Sequence, residues 1–251
     1  IVWKIENGKA VKDNVESTTP ECEKYLAVYL PALQAHLENQ GWLNKYVQHV
    51  MDEPNGIRKP VYDQVAKWVR KYAPKLKILD AIQFTDLVGL IDVWVPTLPC
   101  YMHSLDFLKE RQAKGEEVWF YTCLIPAGAA SLNRFVEYPL TRTRLLHWLN
   151  FDGKTTGYLH WGYNWWVGRT NPVEGKWKLQ PGDEWFTYPK KGGVLDSVRT
   201  EAMLEGIQDY ELLKLLSAKD PRKAESICKK LVRITGDITN TDEENPDPEA
   251  D

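Results

Sequence analysis

Five short apolar runs, most of them separated by a helix-length segment, constrain this chain more than any other feature. Residues 44–51 (NKYVQHVM), 77–83 (KILDAIQ), 91–98 (IDVWVPTL), 117–124 (EVWFYTCL) and 155–161 (TTGYLHW) read as strands. Strands joined by helical crossovers must pair in parallel, because a tight hairpin can join only antiparallel neighbours. The pattern therefore predicts α/β architecture, either a doubly wound sheet or a (β/α)8 TIM-like barrel. No Gly-rich phosphate fingerprint follows any strand, and the unit length stays near about 25–40 residues, which favours the barrel.

The helical segments are equally legible. Leu26, Leu30, Leu33 and Leu37 form one stripe from Thr19 to Asn39, with Thr19-Pro20 as N-cap and first turn and Gly41 as stop. Val61, Val65, Trp68 and Tyr72 mark a second helix ending before Pro74. Further helices are expected over 104–114, 138–150, 196–216 and 221–234, the one over 196–216 with Met203, Ile207, Tyr210 and Leu213 inward. Residues 163–194 show no period but hold Trp165, Trp166, Trp177, Trp185 and Tyr188, so they read as a functional loop. The tail TDEENPDPEAD is acidic and reads as solvated.

Composition narrows the function classes. The formal net charge of −3 supplies no basic field for nucleic acid, and no run reaches the ~20 apolar residues of a transmembrane segment. Cys22, Cys100, Cys123 and Cys228 lack metal-ligand spacing and are too sparse for a disulfide scaffold. No metal or cofactor is expected. The bias lies in the aromatics: 11 Trp and 12 Tyr against 6 Phe. Rings with a polar edge suit flat, hydrogen-bonding binding surfaces as well as cores.

Asp52-Glu53 is one of three Asp-Glu dipeptides, but it alone directly follows a strand and precedes Pro-Asn-Gly. That places it at a strand C-terminal end, where parallel barrels build active sites. Adjacent carboxylates repel, which favours a proton on one and suits it to acid catalysis. The alternative is a plain strand-end turn, with Asp52 capping a helix from Asn55. Trp119 and Tyr121 near one strand end, and Tyr158, Trp161, Tyr163, Trp165 and Trp166 at another, could wall a pocket with Trp185 and Tyr188, since sugar C–H faces stack on aromatic planes. The alternative for Trp119, as for Trp94, is core. His49 and His160 near strand ends suit hydrogen-bonding wall positions. Ser131, Ser197 and Cys123 sit in no nucleophile elbow.

HVMDEPNG (49–56), EVWFYTCLIP (117–126), the stretch 133–166, GDEWFTYP (182–189) and DSVRTEAMLEGIQDYELL (196–213) together resemble the catalytic domain of glycoside hydrolase family 123, the β-N-acetylgalactosaminidases. The resemblance runs from about residue 20 to 217. It implies a (β/α)8 barrel cleaving with retention by substrate assistance, with Glu53 as acid/base and Asp52 orienting the substrate's 2-acetamido group. It also implies a tyrosine on the acetamido oxygen, Tyr121 or Tyr163. Trp161, Trp165 and Trp185 are then stacking walls, and Asn164, Asp183, Glu184 and Arg199 hydroxyl contacts, with His49, Trp119, Tyr158 and His160 as further substrate-binding candidates. The implied partner is a glycan or glycolipid oligosaccharide with terminal β-GalNAc, and the implied location is secreted or periplasmic. A β-N-acetylglucosaminidase and a non-catalytic carbohydrate-binding barrel remain alternatives.

If Asp52-Glu53 ends the fourth strand, as the family implies, the barrel's first two or three strands are missing here. Residues 1–218 then form the C-terminal portion of the barrel, and 219–251 a terminal helix and acidic tail. Upstream sequence is expected, which could include an accessory β-domain.

Overall fold

The computed structural model describes residues 2–128, 131–166 and 179–232. Trp177, the acidic tail and the last two residues of the expected 221–234 helix lie outside these. The first element is an antiparallel hairpin of β1 (Val2–Glu6) and β2 (Lys9–Asp13). Its two-residue loop needs positive φ twice, and Asn7 at +51° and Gly8 at +75° supply it. Five further strands, β3 (Val47–Gln48), β4 (Lys77–Ile82), β5 (Val93–Pro96), β6 (Glu117–Thr122) and β7 (Gly157–His160), pair in chain order into one parallel sheet. These are the five strands expected from sequence. The chain divides into two compact units, one up to Pro96 together with Glu110–Val118, the other Thr97–Lys109 and the chain from Trp119.

The first unit holds α1 (Pro20–Asn39), α2 (Lys59–Tyr72) and strands β3 to β5. The Thr19 hydroxyl accepts from the Cys22 N–H at 3.3 Å, and Gly41 follows at φ +68°, so both ends of α1 are as predicted. Strands β4 and β5 are buried almost throughout, as a parallel strand covered on both faces must be. The core face of α2 is Tyr62, Ala66, Trp68 and Val69, while Val61 and Val65 are only half-buried.

The second unit holds α3 (Leu98–His103), most of β6, α5 (Leu140–Gly153), β7, α6 (Val198–Lys219) and α7 (Pro221–Leu231); a helix α4 (Leu105–Ala113) spans the division. Residues 163–194 are not free of regular structure. A hairpin pairs β8 (Tyr188–Lys190) with β9 (Gly193–Leu195), and Asn164 bridges to Trp185. The inward face of α6 is also shifted from expectation: Arg199, Ala202, Gly206 and Leu213 are buried, while Ile207 is 42% exposed.

The reason is close helix packing. A Cβ on Gly206 would meet the Arg144 carbonyl oxygen of α5 at 2.3 Å. Arg144 then reaches over α6 to Asp209 at 2.6 Å and Glu205 at 2.8 Å, and the Trp148 indole donates to Asp209 at 3.0 Å. A Gly206→Val substitution should force α5 and α6 apart and lower unfolding free energy by about 1–3 kcal/mol. Urea denaturation measures this, and an unchanged midpoint would contradict the packing argument.

Candidate active site

Asp52 and Glu53 follow β3, and β4 holds the segment that carries them. Asp80, midway along β4, has no exposed surface. Its Oδ1 accepts the N–H groups of Val50 at 2.9 Å and Met51 at 3.2 Å, and lies 2.5 Å from His49 Nδ1. Its Oδ2 accepts the Tyr62 hydroxyl at 2.9 Å. The Glu53 N–H donates to the Ala81 carbonyl at 3.1 Å, and the Gln83 side-chain amide donates to Glu53 Oε2 at 2.8 Å. Three residues on and just beyond β4 thus hold residues 49–51 and 53.

Glu53 is half-buried and Asp52 exposed. Glu53 has φ +43°, a left-handed conformation that costs a non-glycine residue ~1–3 kcal/mol. The 3₁₀ turn Gly56–Arg58 begins at Asn55 with no side-chain cap, so the helix-capping alternative has no cap to rest on. The Asp80 carboxylate holds the His49 ring above the ordinary histidine value against the effect of burial, and Asp52 adds to it. Asp80, Gln83 and Tyr62 are absent from the sequence-based site. An acid inside the apolar run KILDAIQ was the available signal, because a buried charge requires partners.

The second unit has its own buried polar centre, built from residues after β6 and β7. Arg134, 3% exposed, donates to the Gly162 carbonyl and to His160 Nδ1. The Gly162 N–H also donates to His160 Nδ1 at 3.1 Å. Both donors reach that lone pair, so the ring proton sits on Nε2, 3.3 Å from Asp183 Oδ1. Asp183 Oδ2 accepts the Trp161 indole N–H at 3.0 Å. Arg199 donates to the carbonyls of Arg134 at 2.7 Å, Gly182 at 3.0 Å and Trp185 at 2.8 Å. Gly182 is needed there, since a Cβ would lie 2.4 Å from the Arg199 guanidinium.

This burial sorts the candidate residues of the second unit. Asp183, Glu184, Trp185, Arg199 and the His160 ring lie in the interior. Tyr121 is buried at the end of β6. Tyr158 shares a 2.6 Å hydrogen bond with Thr122 and packs edge-on against Phe120 and His147. Trp119 covers Gly157, where a Cβ would strike its ring at 2.2 Å, and its indole donates to Thr156 at 3.1 Å. The exposed members are Trp161, Tyr163, Asn164 and Trp165, consecutive but for Gly162, with Trp161 and Trp165 edge-to-face at 6.1 Å. Their backbone is held against 184–187 through Trp165 N–H to Glu184 O at 3.0 Å and Phe186 N–H to Tyr163 O at 2.7 Å.

Burial pushes the Asp183 carboxyl up to about 6, opposed by the Trp161 bond and the Arg134 charge. Burial and the charges of Arg134 and Arg199 push His160 well below its usual value. Between pH 4 and 6 folded Asp183 therefore binds more proton than the unfolded chain, so its contribution to stability falls as pH rises through about 6. Relative to Asp183→Asn, the wild type should lose stability between pH 4 and 7. Urea denaturation across that range measures the difference, and a pH-independent difference would contradict a buried, proton-retaining carboxyl.

Among the described residues no cluster of three His, Cys, Asp or Glu side chains could hold a metal ion, and no helix is long and apolar enough to cross a membrane. No curated protein matches the chain. A family 123 glycoside hydrolase from Clostridium perfringens, described in a structural analysis of glycolipid glycan hydrolysis, is similar in fold: TM-score 0.69 at 22% identity, over 89% of this chain and 40% of that one. The chain thus spans about two fifths of that enzyme's length, and the shared fold is α/β with five parallel strands of a partial barrel. The family model for the glycoside hydrolase 123 catalytic domain matches residues 2–216, and the chain belongs to that family.

Proposed function

We propose that this domain removes terminal β-linked N-acetylgalactosamine from a glycan or glycolipid oligosaccharide, with retention and with the substrate's own 2-acetamido group as nucleophile. The observation that carries the reading is the tethering of Asp52 and Glu53 as sequence neighbours beyond one strand end, with Glu53 held through both its carboxylate and its main chain. Retaining enzymes with a protein nucleophile set two carboxylates about 5–5.5 Å apart, flanking the bond. A nucleophile supplied by the substrate removes that requirement, so two neighbours can act from one side.

Glu53 protonates the glycosidic oxygen as the acetamido carbonyl oxygen bonds to the anomeric carbon and the aglycone leaves. Asp52 accepts the acetamido N–H and stabilises the positive oxazolinium. Glu53, now ionised, takes a proton from water, which attacks the anomeric carbon and reopens the ring with net retention. The chemistry draws on no cofactor. Within the second unit, Trp161 and Trp165 have exposed ring faces and Tyr163 and Asn164 exposed polar groups, the kinds of group that stack on sugar rings and bind hydroxyls.

The test is turnover of p-nitrophenyl β-GalNAc by the intact polypeptide. Glu53→Gln should lose about 10²–10⁴-fold in kcat, and a thiazoline mimic of the oxazolinium should inhibit competitively. Full activity in Glu53→Gln would overturn the acid/base assignment. Faster cleavage of the β-GlcNAc substrate would make the enzyme a β-N-acetylglucosaminidase, and sugar binding without turnover would make it a carbohydrate-binding barrel.

A further inference from the structure

We infer that Asp80 is a positioning residue for the Asp52-Glu53 pair: one buried carboxylate gathers residues 49–51 and sets the direction in which the next two residues leave the strand. This rests on the function proposed for that pair. Asp80 Oδ1 takes two consecutive main-chain N–H groups, those of Val50 and Met51, which fixes the orientation of the peptide planes leading into Asp52. The same oxygen holds the His49 ring at 2.5 Å, so three successive residues converge on one atom. The Tyr62 hydroxyl on α2 occupies Oδ2 at 2.9 Å and fixes the carboxylate's own rotamer.

Asp80 also leads directly into the second tether. Ala81, the next residue on β4, accepts the Glu53 N–H at 3.1 Å, and Gln83 holds the Glu53 carboxylate at 2.8 Å. Glu53 keeps φ +43° between these attachments and Pro54, a conformation that needs the surrounding structure to impose it. Asp80 has no exposed surface, so it acts only through these partners and does not meet the sugar. Removing it frees the segment before the pair while leaving both carboxylates in the chain.

The experiment compares Asp80→Asn, Asp80→Ala and Glu53→Gln in the intact polypeptide, with kcat and KM on p-nitrophenyl β-GalNAc. Competent sites are counted from the binding stoichiometry of the thiazoline mimic. Asparagine keeps an oxygen for the Val50 and Met51 N–H groups but loses the charge facing His49, so it should lower kcat less than alanine. Alanine should lower kcat by about 10²-fold, the scale of a displacement near 1 Å at the reacting groups. KM should stay within about threefold for both, because the loss falls on the transition state. If alanine fails to fold, asparagine decides.

Unchanged kcat in folded Asp80→Asn with a full count of sites overturns the positioning role. So does a kcat loss that only follows a loss of sites, which marks Asp80 as a stability residue. Full activity in Glu53→Gln instead overturns the underlying assignment of the pair, whatever the Asp80 variants do.

Discussion

A parallel strand covered on both faces has no place for an unpaired charge, yet β4 carries Asp80 with no solvent contact. The first unit is organised around resolving that conflict. Two main-chain N–H groups, a histidine ring and a tyrosine hydroxyl converge on the carboxylate. Hydrogen bonds to a charged group each contribute ~1.5–3 kcal/mol, so this set can offset the desolvation of one carboxylate. Two of the four partners are main-chain groups of a segment without regular structure, and Asp80 gives that segment a definite path.

The second unit meets a related difficulty with cations. Arg134 and Arg199 stand over the Phe186 ring, at 4.5 Å and 5.2 Å from its centre. Two buried guanidiniums repel, and burial with this repulsion brings Arg134 down to about 10. The ring's electron-rich faces, the surrounding carbonyls and the Asp183 carboxylate compensate. The result is a buried polar layer beneath residues 161–165, whose Trp161, Tyr163, Asn164 and Trp165 side chains are exposed.

Much of the fold was readable from local pattern. Strand positions followed from apolar runs and α1 from Thr19-Pro20 and its leucine stripe, because these signals lie within a few residues of one another. The hairpin at Asn7-Gly8 was equally local and went unread, although that dipeptide is a strong two-residue turn signal. Pro189 disguised the second hairpin, since proline is scarce in strands away from edges. The α6 face was misplaced because Gly206 carries no hydrophobicity; its value lies in the 2.3 Å approach of another helix, which no one-dimensional pattern records. The site divides the same way. Asp52 and Glu53 announce themselves by position, whereas Asp80 and Arg134 take their meaning from partners about 30 residues away or more.

The backbone at Glu53 sets stability against chemistry at a single position. At φ +43° glycine is the residue with least conformational penalty, so a screen for thermal stability alone would favour losing the side chain there. A carboxylate kept in that conformation is a standing cost to the fold. Stabilising this domain by directed evolution therefore has a built-in hazard: the most accessible gain at residue 53 leads to a sturdier protein without the carboxylate proposed as its acid.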